Sequence, residues 1–327
     1  MSFTTSINIE RDFGKTPHYI VTANARQTIG KIINHFASGI HSFCLIGSYG
    51  TGKSSFILAL ENCLCGKTVG KNVLLSQRGQ FNSFEQFSFI NIVGDYTSLA
   101  NLLASHLNAE SKNVISVLDN HYNRLQKTNQ FLVIVIDEFG KVLEHAAKNN
   151  PEKEMYFLQK FCEYVNDTSK NILFLTTLHQ GFGAYAKGLK AEQKQEWTKV
   201  KGRIQDIVFA EPIEQLLNLT ATHISSADKK PTLNTDKIYN LAVASKFAAS
   251  TLDANVARAL YPMDIVSAYV FTQANQRYGQ NERTLFTFLE TRGEGTVNDF
   301  EASINRLYSL AAVSYTHLRA HETTLHL

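Results

Sequence analysis

Apolar residues in this chain fall into two patterns, short unbroken runs and longer stretches spaced three and four apart. Residues 42–48, Ser-Phe-Cys-Leu-Ile-Gly-Ser, are a short apolar run that predicts a buried strand, and residues 53–60 after it predict a helix. Residues 87–93 predict a second strand, followed by helical spacing over 98–107 and 113–125. The strongest strand signal is 131–136, Phe-Leu-Val-Ile-Val-Ile, whose continuous β-branched character suits a central parallel strand covered on both faces. Helical patterns occupy 139–147 and 152–165, the second opening just after Pro151. Residues 171–177 and 206–210 predict two more strands. Strands alternating with helices predict an α/β fold built on a parallel sheet.

Beyond Pro212 the strand signals vanish. Ile213, Leu216, Leu217 and Ile224 take helical spacing, and helices are expected over 237–249 and 263–276. The predicted organisation is therefore a parallel-sheet core with an N-terminal extension over 1–212. A smaller all-α domain over 213–312, leading into a downstream region, and a tail over 313–327 follow it.

Composition narrows the class. With 327 residues, 44% apolar and 19% charged, the chain reads as globular, and 5 prolines exclude long proline-rich linkers. A balance of 32 Lys+Arg against 29 Asp+Glu is too mild to demand nucleic acid. No apolar run reaches the roughly 18 residues of a membrane span, and the first residues lack the basic and apolar regions of a signal peptide. Four cysteines without zinc spacing suit a reduced, cytoplasmic protein rather than a disulfide scaffold. The tail carries His317, His321 and His326, and a histidine-rich string can bind metal. It also resembles translated sequencing-adapter read-through, so the expectation is a non-native tail, with the chain's own sequence ending near Ala312.

Gly47-Ser-Tyr-Gly-Thr-Gly-Lys-Ser54 matches G-x-x-x-x-G-K-[ST] in full, after a predicted strand and at the start of a predicted helix. In such a loop Gly47, Gly50 and Gly52 allow tight turning, and the N–H groups of Ser48, Tyr49, Thr51 and Ser55 can meet phosphate oxygens at a helix N-terminus. Lys53 can reach β- and γ-phosphates, and the Ser54 hydroxyl can ligate Mg²⁺. The run 131–136 ends in Asp137-Glu138, which places a carboxylate at the C-terminal edge of a strand, where ligands bind in open α/β sheets. Asp137 would hold Mg²⁺ through water, and Glu138 could orient or deprotonate an attacking water. A polar residue ending the strand 171–177, either Thr176 or Thr177, could contact the γ-phosphate or position that water; simple capping of the strand is the alternative.

Asp137-Glu-Phe-Gly140 formally fits the D-x-x-G of GTPases, but no N-K-x-D follows, which argues against guanine. Leu75-Ser-Gln-Arg-Gly-Gln80 superficially resembles the signature loop of transporter-type ATPases, yet lies too far ahead of the acidic strand. In order, the phosphate loop, Asp-Glu strand, polar-ended strand and helical region resemble AAA+ and related signal-transducing (STAND) P-loop ATPases. Four segments, Tyr19-Ile-Val-Thr22, Ile46-Gly-Ser-Tyr-Gly-Thr-Gly-Lys-Ser-Ser55, Glu196-Trp-Thr-Lys-Val-Lys-Gly-Arg203 and Gly279-Gln-Asn-Glu-Arg-Thr-Leu-Phe-Thr-Phe-Leu289, resemble prokaryotic ATPases associated with anti-phage defence. The resemblance implies ATP and Mg²⁺ as cofactors, an all-α lid beginning near Pro212, and self-association or partner proteins. Hydrolysis could drive a switch or motor. The alternatives are a nucleotide-gated sensing or assembly module with little hydrolysis, and a DNA-remodelling ATPase resembling origin-recognition ATPases.

The same resemblance implies an arginine acting on the γ-phosphate of a neighbouring subunit. Arg203, just before the fifth strand, stands where AAA+ proteins place it, with a surface pair to Asp206 as the alternative reading. Arg283, or less readily Arg258, could serve as a sensor from the lid, or else make a structural ion pair. Between 187 and 203, six cations (Lys187, Lys190, Lys194, Lys199, Lys201, Arg203) face two carboxylates (Glu192, Glu196), a local excess of four. That face could meet DNA phosphates or be an ordinary solvated helix surface. Trp197 is expected to anchor that helix to the sheet rather than stack on bases.

Overall fold

The protein is described by a computed structural model covering residues 7–15, 19–66, 81, 83–224, 235–247, 252–278, 297 and 307–309. It divides into two compact units, Ser6–Ala210 and the chain from Glu211 onward.

The first unit is a five-stranded parallel sheet: β1 (Ser42–Ile46), β2 (Gln86–Val93), β3 (Gln130–Asp137), β4 (Ile172–Leu178) and β5 (Gln205–Val208). Their order across the sheet is β2-β3-β4-β1-β5, so β4 lies between β1 and β3. The register pairs Ile46 with Leu178 and Ile136 with Thr176, which brings the C-terminal ends of β1, β4 and β3 to one edge. Period-2 alternation divides the strand residues between two cores. Leu132, Ile134, Ile136, Ile172 and Phe174 share one face with helices α3 (Leu99–Leu107), α4 (Val114–Gln126), α5 (Gly140–Lys148), α6 (Pro151–Val165) and α7 (Ala191–Lys201). Phe131, Val133, Val135, Leu173, Leu175, Phe43 and Leu45 face α1 (Ala23–Ala37) and α2 (Lys53–Leu64). Both faces of β3 are thus covered, and the whole strand from Phe131 to Asp137 is buried.

Local chemistry sets the helix ends. Thr22 caps α1 by accepting from the Ala25 N–H, Ser98 caps α3 from Asn101, and Asn150 caps α6 from Lys153 with Pro151 at the first position. Helix α2 differs: its cap is Gly52, and no side chain satisfies its first N–H groups. Those donors point to the C-terminal edge of the sheet. Cys63 and Cys65, at the end of α2, are buried and exposed respectively. Trp197 is buried at the α7 interface, and its indole N–H donates to the Phe182 carbonyl at 3.1 Å, as expected of an anchor.

Two strands stop short of their predicted ends. The expected strand over 42–48 gives way at Gly47, where the backbone turns into the loop, and β5 ends at Val208 where its partner Ile46 ends. Helix α1 has no counterpart in the sequence pattern above.

The second unit contains helices α8 (Ile213–Ile224), α9 (Thr235–Ala244), α10 (Ala254–Ala259) and α11 (Ile265–Tyr278). They close around Leu217, Ala221, Ala242, Leu260 and Ala268. Asp264 caps the start of α11, accepting from the Ser267 N–H at 2.8 Å. No helix among the described residues is long and apolar enough to cross a membrane.

Candidate functional site

At the edge where β1, β4 and β3 end, the Gly47–Ser54 loop meets the acidic end of β3. Gly47 begins the turn; a Cβ there would lie 2.1 Å from the Phe209 carbonyl oxygen, so only glycine fits. Gly50 and Gly52 take positive φ (73° and 84°), and space above Gly52 is open. The loop therefore wraps around the uncapped N-terminus of α2, a concave surface of backbone donors suited to phosphate.

The Lys53 ammonium folds back into this loop, donating to the carbonyl oxygens of Gly47 and, at 2.8 Å, Ser48. Burial pushes its pKa down to about 8 despite the opposing charges of Asp137 and Glu138. An ammonium turned onto two carbonyl oxygens keeps its charge only partly compensated.

Asp137 is the hub. Its Oδ2 accepts from the Ser54 hydroxyl at 2.6 Å, its Oδ1 accepts from the Thr177 hydroxyl, and the Glu138 N–H lies 3.1 Å from the same Oδ1. The carboxylate is 6% exposed, and these three donors satisfy it. Thr177 stands on β4, between the phosphate-loop strand and the acidic strand, and its oxygen also accepts from the Glu138 N–H at 3.0 Å. Thr176, on the opposite face, donates to the Phe43 carbonyl. Of the two threonines, then, Thr177 belongs to the site, and it holds the Asp137–Glu138 corner rather than projecting from the edge.

Glu138 adopts a left-handed backbone (φ 54°), rare for a residue with a Cβ. Two elements enforce it: Thr177 grips its N–H, and Gly94, after β2, packs so closely that a Cβ would sit 2.5 Å from the Glu138 carbonyl oxygen. The side chain emerges half exposed and pairs with the Lys141 ammonium at 2.7 Å. That hydrogen bond raises the Lys141 pKa.

Beside the loop, Tyr49 stacks on His179, ring centroids 4.7 Å apart and planes 19° apart. Tyr185 meets the same imidazole nearly edge-on, its hydroxyl 3.3 Å from Nδ1, and the tyrosine is also what a Cβ on Gly140 would strike. His179, Lys141 and Tyr185 were not singled out by sequence. A signal for His179 existed: it follows Thr177 by two residues, the period that keeps side chains on one face. Lys141 follows Glu138 by three, one helical turn.

The arginines lie elsewhere. Arg203 precedes β5, at the N-terminal edge of the sheet, whereas the phosphate loop follows β1 at the C-terminal edge. Its guanidinium reaches Glu163, 2.8 Å from Nη2, and the Lys199 carbonyl, and not Asp206 as the alternative reading had it. Asp206 is half-buried in β5, where burial raises its pKa. Arg258 makes a two-point ion pair with Asp236 within the helical unit. Arg283, residues 75–80 and 279–289, and the histidines of the tail lie outside the described residues. Lys187 and Lys190, just before α7, and Lys194, Lys199 and Lys201 within it are all exposed, with Lys199 paired to Glu196.

The residues fit Mg²⁺ and a nucleotide: Ser54 and Asp137 bring two hard oxygen ligands to within 2.6 Å of each other, and the loop supplies phosphate donors beside them. Among the described residues, no three His, Cys, Asp or Glu side chains gather into a metal site of their own.

No protein-family model matches the chain, and no curated protein matches it. Solved structures do. One is the Aeropyrum pernix ORC2 protein in ADPNP-ADP complexes, 13% identical with a TM-score of 0.41 over 62% of this chain and 52% of that one. Another is PCH-2 of C. elegans, 11% identical with a TM-score of 0.45 over 91% of this chain and 69% of that one. Drosophila ORC bound to DNA aligns at 13% identity and a TM-score of 0.38, covering 82% and 63% respectively. The chain spans about half the length of the A. pernix ORC2 chain.

Proposed function

We propose that the chain is an ATP-binding, Mg²⁺-dependent ATP-hydrolysing switch or motor of the AAA+ type. The observation that carries the reading is the Ser54–Asp137 hydrogen bond at the mouth of the glycine loop, with Glu138 the next residue along. In this reading the loop 47–52 and the first N–H groups of α2, including those of Ser54 and Ser55, cradle the phosphates. The Lys53 ammonium pairs with the β- and γ-oxygens. Ser54 and Asp137 hold Mg²⁺, which neutralises phosphate charge when bound. The Glu138 carboxylate orients a water molecule and accepts its proton as that water attacks the terminal phosphorus, and ADP departs with the bridging oxygen. Thr177 fixes Asp137 and Glu138 relative to each other through the whole cycle.

Arg203, turned away from its own chain's loop, fits a role on a second copy's nucleotide, and this supports self-association through the core. Arg283 would act as the lid's phosphate sensor, a role carried by the likeness of its segment. The likeness of 19–22, 46–55 and 196–203 to defence-associated ATPases supports a prokaryotic, cytoplasmic role in anti-phage defence, and the exposed α7 lysines support DNA as a candidate partner.

One observation favours the nucleotide-gated sensing module as a second reading: the Glu138 carboxylate is held by Lys141, which opposes its service as a base. Steady-state phosphate release with Mg-ATP separates the two. Glu138→Gln is expected to lower turnover at least ~100-fold while leaving ATP binding in place; unchanged turnover removes Glu138 from the chemistry. Lys53→Ala is expected to weaken ATP binding strongly, and full retained affinity overturns the nucleotide assignment itself.

A further inference from the structure

The N-terminal segment packs onto the core without a role in the reading above. Residues 8–12 form a turn closed on itself. The Asn8 side-chain oxygen accepts from the N–H groups of Glu10 and Arg11, each at 2.9 Å, and the Asp12 carboxylate accepts from the Asn8 N–H at 3.0 Å. Ile9 is fully buried in the core that lies between the sheet and α1 and α2. Its carbonyl accepts from the Asn91 amide on β2 at 3.3 Å. Further along, the Lys15 carbonyl accepts from the Asn62 amide on α2 at 2.8 Å. Glu10 is therefore held between two anchored points.

Its carboxylate reaches the end of β2. That strand stands first in the sheet order, with β3 on its inner side and no described strand on its outer side. The N–H groups of successive strand residues point to opposite sides. The Gly94 N–H points inward, to the Asp137 carbonyl at 2.7 Å. The Val93 N–H therefore points outward, and Glu10 Oε1 accepts from it at 2.6 Å. The same oxygen lies 3.2 Å from Nε2 of His106 on α3, so one carboxylate joins the strand end to a helix. An N–H bonded to a carboxylate makes one of the stronger hydrogen bonds. Here the backbone carrying the acceptor is already ordered, so little further freedom is lost in making the bond. The residue after Val93 is Gly94, which packs against the Glu138 carbonyl and keeps that backbone left-handed.

We infer that Glu10 is a positioning residue for Glu138: by holding the Val93 N–H it fixes the end of β2 and, through Gly94, the backbone that aims the Glu138 carboxylate. Glu10 touches neither nucleotide nor water in this role, and the phosphate loop does not depend on it. The inference rests on the hydrolytic reading given above and adds to it a residue of the N-terminal segment that the reaction requires.

The test compares the purified full chain with Glu10→Ala and Glu10→Gln by Mg-ATP turnover, ATP titration and amide hydrogen exchange. Glu10→Ala is expected to lower kcat roughly tenfold, the scale of a sub-ångström displacement of a reacting group, while ATP affinity stays within about twofold. Exchange of the Gly94 amide, one residue beyond the lost hydrogen bond, is expected to quicken roughly tenfold. Glu10→Gln, whose amide oxygen still accepts from Val93, is expected to keep at least about half of wild-type kcat. Unchanged kcat in Glu10→Ala, whatever its Tm, overturns the inference. So does an equal loss of kcat and ATP affinity, or a Gln variant as impaired as the Ala variant. If Glu10→Ala fails to fold, Asn8→Ala, which loosens the turn carrying Glu10, is expected to lower kcat roughly threefold with affinity unchanged, and no change in kcat again overturns it. Wild-type protein that binds ATP without turnover removes the hydrolytic reading along with this one. Wild-type turnover matched by Glu10→Ala removes only the role of Glu10.

Discussion

Gly94→Ala is a one-atom perturbation aimed at the backbone of Glu138. Gly94 is buried, and its N–H donates to the Asp137 carbonyl at 2.7 Å. An added Cβ would lie 2.5 Å from the Glu138 carbonyl oxygen, 2.9 Å from its carbon and 3.0 Å from the Asp137 carbonyl oxygen. Carbon and oxygen ordinarily approach to about 3.3 Å, so one backbone must yield by about 0.8 Å. Neither can do so cheaply. The Glu138 peptide is pinned by Thr177 and Asp137 on its N–H and by the Lys141 N–H on its carbonyl, and β2 is locked to β3 through eight register pairs.

Overpacking of this kind costs about 1–3 kcal/mol. For a unit of this size, 2 kcal/mol is a fall in Tm of about 4–8 °C. A catalytic carboxylate displaced by most of an ångström loses on the order of 100-fold in kcat. The loop itself is untouched, so ATP affinity should hold within about threefold. The assays are thermal unfolding by circular dichroism, phosphate release and nucleotide titration. Gly30→Ala, in α1 with nothing within 4 Å of its Cβ, is the control and should unfold at the same temperature or higher. If Gly94→Ala keeps wild-type turnover and Tm, the idea that Gly94 shapes the Glu138 corner is wrong.

Three other perturbations probe separate parts of the molecule. Trp197→Ala empties a fully packed site and orphans the Phe182 carbonyl, and should cost about 3–5 kcal/mol, visible as a large fall in Tm; a change under about 2 °C would refute its role as an anchor. Asp12 is held far below the usual carboxylate range, first by Arg11, then by Lys15 and the Asn8 N–H. A depressed folded pKa means stability that is present above the unfolded value near 4 and is lost as pH falls below it. Thermal unfolding between pH 6 and pH 2 should therefore fall more steeply in wild type than in Asp12→Asn, and parallel curves would contradict the ion-pair assignment. Arg203→Ala should leave ATP affinity unchanged while abolishing any rise of specific activity with protein concentration. Wild-type activity that is flat with concentration, and equal to the variant's, would exclude an arginine acting across subunits.

How much of this could be read from sequence depended on how local each determinant is. The strand β3 was legible because a strand buried on both faces must be apolar at every position, and Phe131–Ile136 leaves no other periodicity open. The turn Gly47–Ser54 was legible because its backbone geometry is set within eight consecutive residues. Helix α1 was not: Gly30 interrupts it, and its Ala, Thr and Ile residues give no clean apolar stripe. Only packing of Ile29, Ile32 and Phe36 against β1 and β3 fixes it. α10, six residues long, is too short to display a helical period. In the site, the pairing of Lys141 with Glu138 was one turn away and could have been read. The Tyr49–His179–Tyr185 stack could not, because it depends on β4 lying beside β1, a fact of topology that no single segment contains.

That topology also explains why Asp137 can be buried as an anion. A carboxylate at this depth is tolerated only when its oxygens are met by donors, and each of its three donors comes from a different element: Ser54 from α2, Thr177 from β4, and the N–H of Glu138 from its own turn. Inserting β4 between β1 and β3 is what lets a β4 hydroxyl reach an acid on β3 while the phosphate loop, launched from β1, still reaches the same acid through Ser54. With β1 and β3 adjacent, Thr177 would have no place in the network. The arrangement also sets what can move. Thr177 and the Glu138 N–H share Oδ1 and bind the acid to the sheet, while among the described residues Ser54 alone holds Oδ2. Exchanging the Ser54 hydrogen bond would therefore leave the two bonds that fix Glu138 in place.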